Sequence, residues 1–201
     1  MVDPSSAQSA RENLLYIRKT LESAGQLTAV PGKCLIAAGV VAIAGALFNG
    51  LATGAPWSCG PHAGVALATW GIVLGASLAI VSFGIYRKSL QMCAPIHPPL
   101  LRKLLWSLCP ALFVGGLLTG FAVRSNNLYW LPVLWLGCYG VAVTNGGQVS
   151  VAPVRYMGLC FLLAAAGAAL TPPEAGLAWL VLGFGWLHLL FGTYIARRHN
   201  G

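Results

Sequence analysis

Few side chains in this 201-residue chain are equipped for chemistry, and they are widely spaced. His188 is the only ionisable group near the middle of an apolar stretch. At such a place an imidazole can hold a ligand, relay a proton or gate a path, and the cost of burying it favours such a role. It can equally be a structural tie, satisfied by one hydrogen bond to a neighbouring helix. Both readings stay open. Ligation of haem by two histidines would need a second one at matching depth, which a single chain does not offer. Asn145 and Gln148 flank two glycines, and this corner either lines a vestibule or caps a helix end. Cys59 and His62 have the spacing Cys-x-x-His, which supplies two ligands where a closed zinc site needs four. They form a candidate outer-loop site, against the plainer reading of a loop thiol beside an incidental histidine. Cys93 and His97, among Pro95, Pro98 and Pro99, fall short for the same reason. Cys109, Cys138 and Cys160 read as small packing residues.

The motifs that would organise catalysis are missing. The chain has no phosphate-binding P-loop, no His-Glu-x-x-His and no Gly-x-Ser-x-Gly. Its acidic residues are Asp3, Glu12, Glu22 and Glu174, all outside the apolar stretches, so a carboxylate relay through a membrane has no support. General acid–base chemistry would rest on histidine alone. The expectation is a non-enzymatic protein with no catalytic residue, no metal and no resident cofactor.

The elements that must position these residues follow from composition. The chain is 57% hydrophobic and 8% charged, with a mean hydropathy of +0.75. A soluble domain carries about 25% charged residues. An ordinary soluble enzyme, a disordered chain and a nucleic-acid-binding domain are therefore excluded, despite a sequence pI near 9.5. A helix that crosses a bilayer needs about 20 apolar residues, because it must satisfy its own backbone in lipid. Six stretches meet or approach this: Cys34 to Leu51, Ala63 to Tyr86, Leu104 to Val123, Leu128 to Val143, Tyr156 to Leu170 and Gly176 to Ala196. The fourth and fifth are short. The expected fold is an all-α bundle of six transmembrane helices over residues 31–201, preceded by an interfacial segment over residues 1–30.

Eleven of the twelve Lys and Arg fall on one side of this layout, with only Arg124 opposite. The positive-inside rule then places both termini in the cytoplasm. The first residues are too polar for a cleavable signal peptide. Ser9 and Glu12 have capping-box spacing, Gly25 suits a helix stop, and Leu14, Ile17, Leu21 and Ala24 share a face. That pattern predicts a short amphipathic helix, lying in the interface or docking to a partner.

A repeat at the level of helical hairpins (about 33–86, 103–145 and 155–196) is also legible. Lys33, Lys103 and Arg155 are each followed twelve residues later by Gly45, Gly115 and Gly167. Phe83-Gly84, Tyr139-Gly140 and Phe191-Gly192 recur in the even stretches. The first hairpin departs by a longer outer loop, holding Trp57, Cys59 and His62, and the third by placing His188 where the others have aliphatic residues. Gly71 with Gly75, and Gly116 with Gly120, have the four-residue spacing of close helix packing. Trp57, Trp130 and Trp179 fit an outer aromatic belt.

The run from Glu12 to Arg18, the segment Thr28 to Gly32 and the terminal Ala196-Arg197-Arg198-His199 resemble a family of uncharacterised small bacterial multi-pass (six-helix) inner-membrane proteins. The resemblance covers most of the chain, carries no catalytic signature, and implies a bacterial inner-membrane location without an activity. Expected partners are the lipid bilayer and a second copy or another membrane protein, with no nucleic acid. Two function classes follow. One is an accessory or self-associating membrane subunit. The other is a small transporter or channel with a path or gate at His188 and the Asn145–Gln148 corner. Below both stands a binder of a lipophilic or haem-type cofactor at His188.

Overall fold

The computed structural model describes residues 12–16, 31–54, 57, 62–91 and 98–198. Among these residues the chain is all-helical and without strands. Its long helices are α1 (Gly32–Thr53), α2 (Ala63–Gln91), α3 (Pro98–Arg124), α4 (Leu131–Gly146) and α5 (Ala152–Leu170). The last, α6, is a continuous run of Gly176–Leu180, a wider π-helical stretch Val181–Leu187, and His188–Arg198. Five helices are long and apolar enough to cross a membrane: α1, α2, α3, α5 and the run ending with α6. The exception is α4. A 3-10 turn over Leu128–Trp130 takes up the start of the stretch expected from Leu128, leaving an α-helix of 16 residues. At 1.5 Å per residue that is about 24 Å, short of the roughly 30 Å hydrocarbon core.

Helix ends follow local chemistry. Gly54, with φ of 62°, stops α1 in the left-handed conformation, and its N–H donates to the Gly50 carbonyl. Asn126, with φ of 49°, turns the chain between α3 and α4. Pro132 and Pro153 stand in the first turns of α4 and α5, where a missing N–H costs little.

Two helices lie outside a central group. Of the most apolar window of α1, α5 and α6, 39% is buried, against 22% in α2 and only 6% in α3. Helix α2 packs chiefly on α1, and α3 chiefly on α4. Helix α1 also packs along α6, and α4 along α5. Glycines set these approaches. A Cβ on Gly192 would stand 2.9 Å from the Gly32 carbonyl oxygen, so α1 and α6 touch backbone to backbone. Gly158 of α5 meets the backbone and hydroxyl of Thr144 in α4. Gly45 faces Val73, Gly115 faces Cys138 and Gly167 faces the Trp179 ring, so each lies against the following helix.

The outer surface is rich in large apolar side chains, including Leu51, Ile72, Phe113, Phe121, Leu163 and Leu170. In water such a surface would aggregate; in lipid it is the favourable one. The chain is thus built as a multi-pass membrane protein.

Several expectations meet the structure directly. Of the amphipathic N-terminal helix only residues 12–16 are described; they are helical and exposed, and the rest of the pattern lies outside the described residues. Trp57 is no belt residue: it is buried, its indole N–H donates to the Leu128 carbonyl at 3.1 Å, and its ring meets Trp135 edge-on at 6.0 Å. A loop indole on an apolar bundle gains more by folding inward onto an aromatic partner than by standing at the interface. The small-residue pairs also differ from expectation. Open space surrounds Gly71, Gly75, Gly116 and Gly120, which lie on outward faces of α2 and α3 and pack on nothing among the described residues.

Candidate functional site

His188 begins the α-helical part of α6, immediately after the π stretch. It is 5% exposed, and its Nε2 lies 2.8 Å from the hydroxyl of Tyr139 in α4. The tautomer decides whether the phenol donates to Nε2 or the imidazole N–H donates to the phenol oxygen. Phe161 of α5 and Phe184 of α6 close the surroundings, with ring centroids 5.5 and 6.2 Å from the imidazole. Nδ1 is buried without a well-formed hydrogen bond, within reach of the Gly183 and Phe184 backbone.

Local sequence explains the placement. Gly183 and Gly185, in the π stretch, let α6 fit between Leu136 and Phe161 on one side and Ile43 of α1 on the other. Widened turns of this type recur at functional sites, and His188 directly follows this one.

The rings continue outward. Phe184 meets Tyr139 at 5.1 Å and Trp70 at 6.0 Å; Trp70 meets Trp135 at 6.3 Å, and Trp135 meets Trp57. The indole N–H of Trp135 donates to the Thr119 hydroxyl at 2.9 Å, while that of Trp70 has no partner among the described residues. Asn49 of α1, 1% exposed, has an unpartnered side-chain amide nitrogen. This aromatic core links α2, α4, α5 and α6 through contact rather than through charge.

The Asn145–Gln148 corner is a different place. Asn145 lies in the last turn of α4, and Gln148 in the 3-10 turn Gly147–Val149 that follows. Both are exposed and line an open groove of about 820 Å³ between α3 and α4, together with Lys103 and Ser107. His188 is not among the residues of that groove. The structure thus brings Asn145 and Gln148 together and keeps His188 apart, joined to Tyr139. His62 is exposed just before α2, while Cys59, Cys93 and His97 lie outside the described residues. Among the described residues no group of three His, Cys, Asp or Glu side chains is placed to hold a metal ion.

Tyr139, Asn49 and Lys103 are the polar residues that sequence reasoning passed over as site members. One signal for Tyr139 was available: a phenol in an apolar stretch needs a partner, and His188 is the only histidine in any of the apolar stretches. No protein-family model, no curated protein and no solved structure matches this chain.

Proposed function

We propose that this chain is a non-enzymatic, multi-pass integral membrane subunit that associates with copies of itself through the outer faces of α2 and α3. The observation that carries the reading is the pair of open glycine steps, Gly71–Gly75 and Gly116–Gly120, on the two least buried helices. Helices associate in lipid by close backbone approach, because the tails offer no hydrophobic drive, and small residues at four-residue spacing permit that approach. The buried glycines of this chain are already used in this way between its own helices. The outward ones have no neighbour among the described residues.

The finer architecture belongs to the same reading. All six helices cross the membrane, with α4 the short span seated against α3 and α5. They form three tandem hairpins, supported by Gly45, Gly115 and Gly167 each meeting the next helix. Both termini are cytoplasmic, supported by the eleven-to-one division of Lys and Arg. The location is a bacterial inner membrane, on the resemblance alone. His188 acts as a structural tie rather than a gate, supported by its bond to Tyr139, its enclosure by Phe161 and Phe184, and its separation from the Asn145 groove.

The test is the mass of the protein in a mild detergent. The wild type should run as an oligomer, and Gly71→Leu with Gly75→Leu, or Gly116→Leu with Gly120→Leu, should shift it toward monomer while leaving the helical content intact. A wild-type monomer sinks the proposal. Flux in proteoliposomes that falls on His188→Ala would favour transport instead.

A further inference from the structure

The groove between α3 and α4 is built by two helical stripes. On α3 these are Lys103, Ser107, Pro110 and Val114; on α4, Val133, Gly137, Val141 and Asn145. Residues three and four apart share a helix face, so each stripe is one wall. The helices are antiparallel neighbours, and both walls change character in the same direction. At one end stand the Lys103 ammonium, the Ser107 hydroxyl, and the Asn145 and Gln148 amides. The Ser107 hydroxyl donates to the Lys103 carbonyl at 2.8 Å, so the donors left for an anion are the Lys103 ammonium and the two amides. Toward the other end the lining is apolar, and among the described residues no carboxylate lines the groove. Gly137 leaves the floor low. Pro110 occupies the face where no other helix closes in, and its missing N–H weakens the α3 ladder there.

We infer that this groove is a binding site for one anionic phospholipid, with the phosphate at Lys103 and the Asn145 and Gln148 amides and one acyl chain lying along the Val141–Val133 wall. Charge decides the head: one cation and neutral amide donors meet it, with no acidic residue among the described residues of the lining. Basic recesses between membrane helices are where anionic headgroups settle. Length decides the tail. From Asn145 to Val133 the helix rises about 18 Å, close to half of the roughly 30 Å hydrocarbon core, which is the depth one leaflet's chain occupies. The volume lies in the range of ligand sites, about 300–1,000 Å³. The short helix α4 gives the site its purpose: a lipid held here packs beside a span shorter than the hydrocarbon core. The inference rests on the chain lying in a bilayer and not on its association with copies of itself.

The test uses the full chain, purified in mild detergent and stripped of lipid, then incubated with phosphatidylglycerol, phosphatidylcholine or inorganic phosphate. Native mass spectrometry counts bound lipid and subunits in the same spectrum, so loss of lipid and loss of oligomer are read separately. Wild type should retain one phosphatidylglycerol per chain in preference to phosphatidylcholine. Lys103→Ala should lower that preference by about fivefold, the weight of one lysine at a charged surface. Val141→Trp, which fills an exposed part of the wall, should remove both lipids. Equal retention of the two lipids by wild type, or a preference unmoved by Lys103→Ala, overturns the site. So does thermal stabilisation by inorganic phosphate equal to that by phosphatidylglycerol, because the acyl wall would then play no part.

Discussion

A phenol and an imidazole buried side by side in an apolar bundle satisfy each other, and either would be expensive alone. Removing one partner of a buried pair leaves the other unsatisfied, whereas replacing both with apolar groups of similar shape is often nearly neutral. Tyr139→Phe should therefore destabilise the bundle by about 1 kcal/mol, in the range measured for hydrogen bonds between membrane helices. The double variant Tyr139→Phe with His188→Phe should recover most of that loss. Reversible unfolding in detergent measures both, and additive losses would show that the two side chains act independently. Sequence reasoning singled out His188 because an ionisable group is rare inside an apolar stretch. Its partner was harder to see. Tyr139 lies 49 residues earlier, and only the α4–α6 contact, set by Gly183 against Leu136, makes them neighbours.

Glycine plays opposite parts in different helices, and the difference is testable one methyl group at a time. A helical Gly→Ala change normally gains about 0.5–1 kcal/mol. Where the new Cβ collides with backbone, overpacking costs about 1–3 kcal/mol and reverses the sign. Gly192→Ala, against the Gly32 carbonyl, and Gly158→Ala, against Thr144, should lower the melting temperature. Gly64→Ala, in open space on α2, should leave it unchanged or raise it. A fall of equal size in all three would contradict the packing described here. The elements themselves were largely legible, because runs of apolar residues between Pro, Gly and cations delimit them. Two details were not. The 3-10 turn that shortens α4 and the π stretch in α6 depend on tertiary fit, at Trp57 beneath Leu128 and at Gly183 and Gly185 beside Leu136 and Ile43. The amphipathic groove was hidden for a related reason. Each stripe has helical spacing in the sequence, but only the pairing of α3 with α4 sets Lys103 opposite Asn145.

For the whole molecule, composition was decisive. Sixteen charges cannot cover the surface of a 201-residue globule, and the structure turns its large apolar side chains outward. The positions of those charges carry the proposed orientation. On a cysteine-free background, Ser125→Cys and Glu174→Cys should react with an impermeant thiol reagent in intact cells, and Arg197→Cys only after permeabilisation. The reverse pattern would invert the topology. What composition could not reveal is which outer faces stay bare once the bundle has formed. Gly71, Gly75, Gly116 and Gly120 read as packing residues, and no described residue of the chain packs on them. The most direct test of self-association is therefore subunit counting by native mass spectrometry in mild detergent, wild type beside the paired glycine-to-leucine variants of α2 and α3. An oligomer that falls to monomer in those variants, with the fold retained, is the expected result; a monomeric wild type, or an oligomer indifferent to all four glycines, contradicts it.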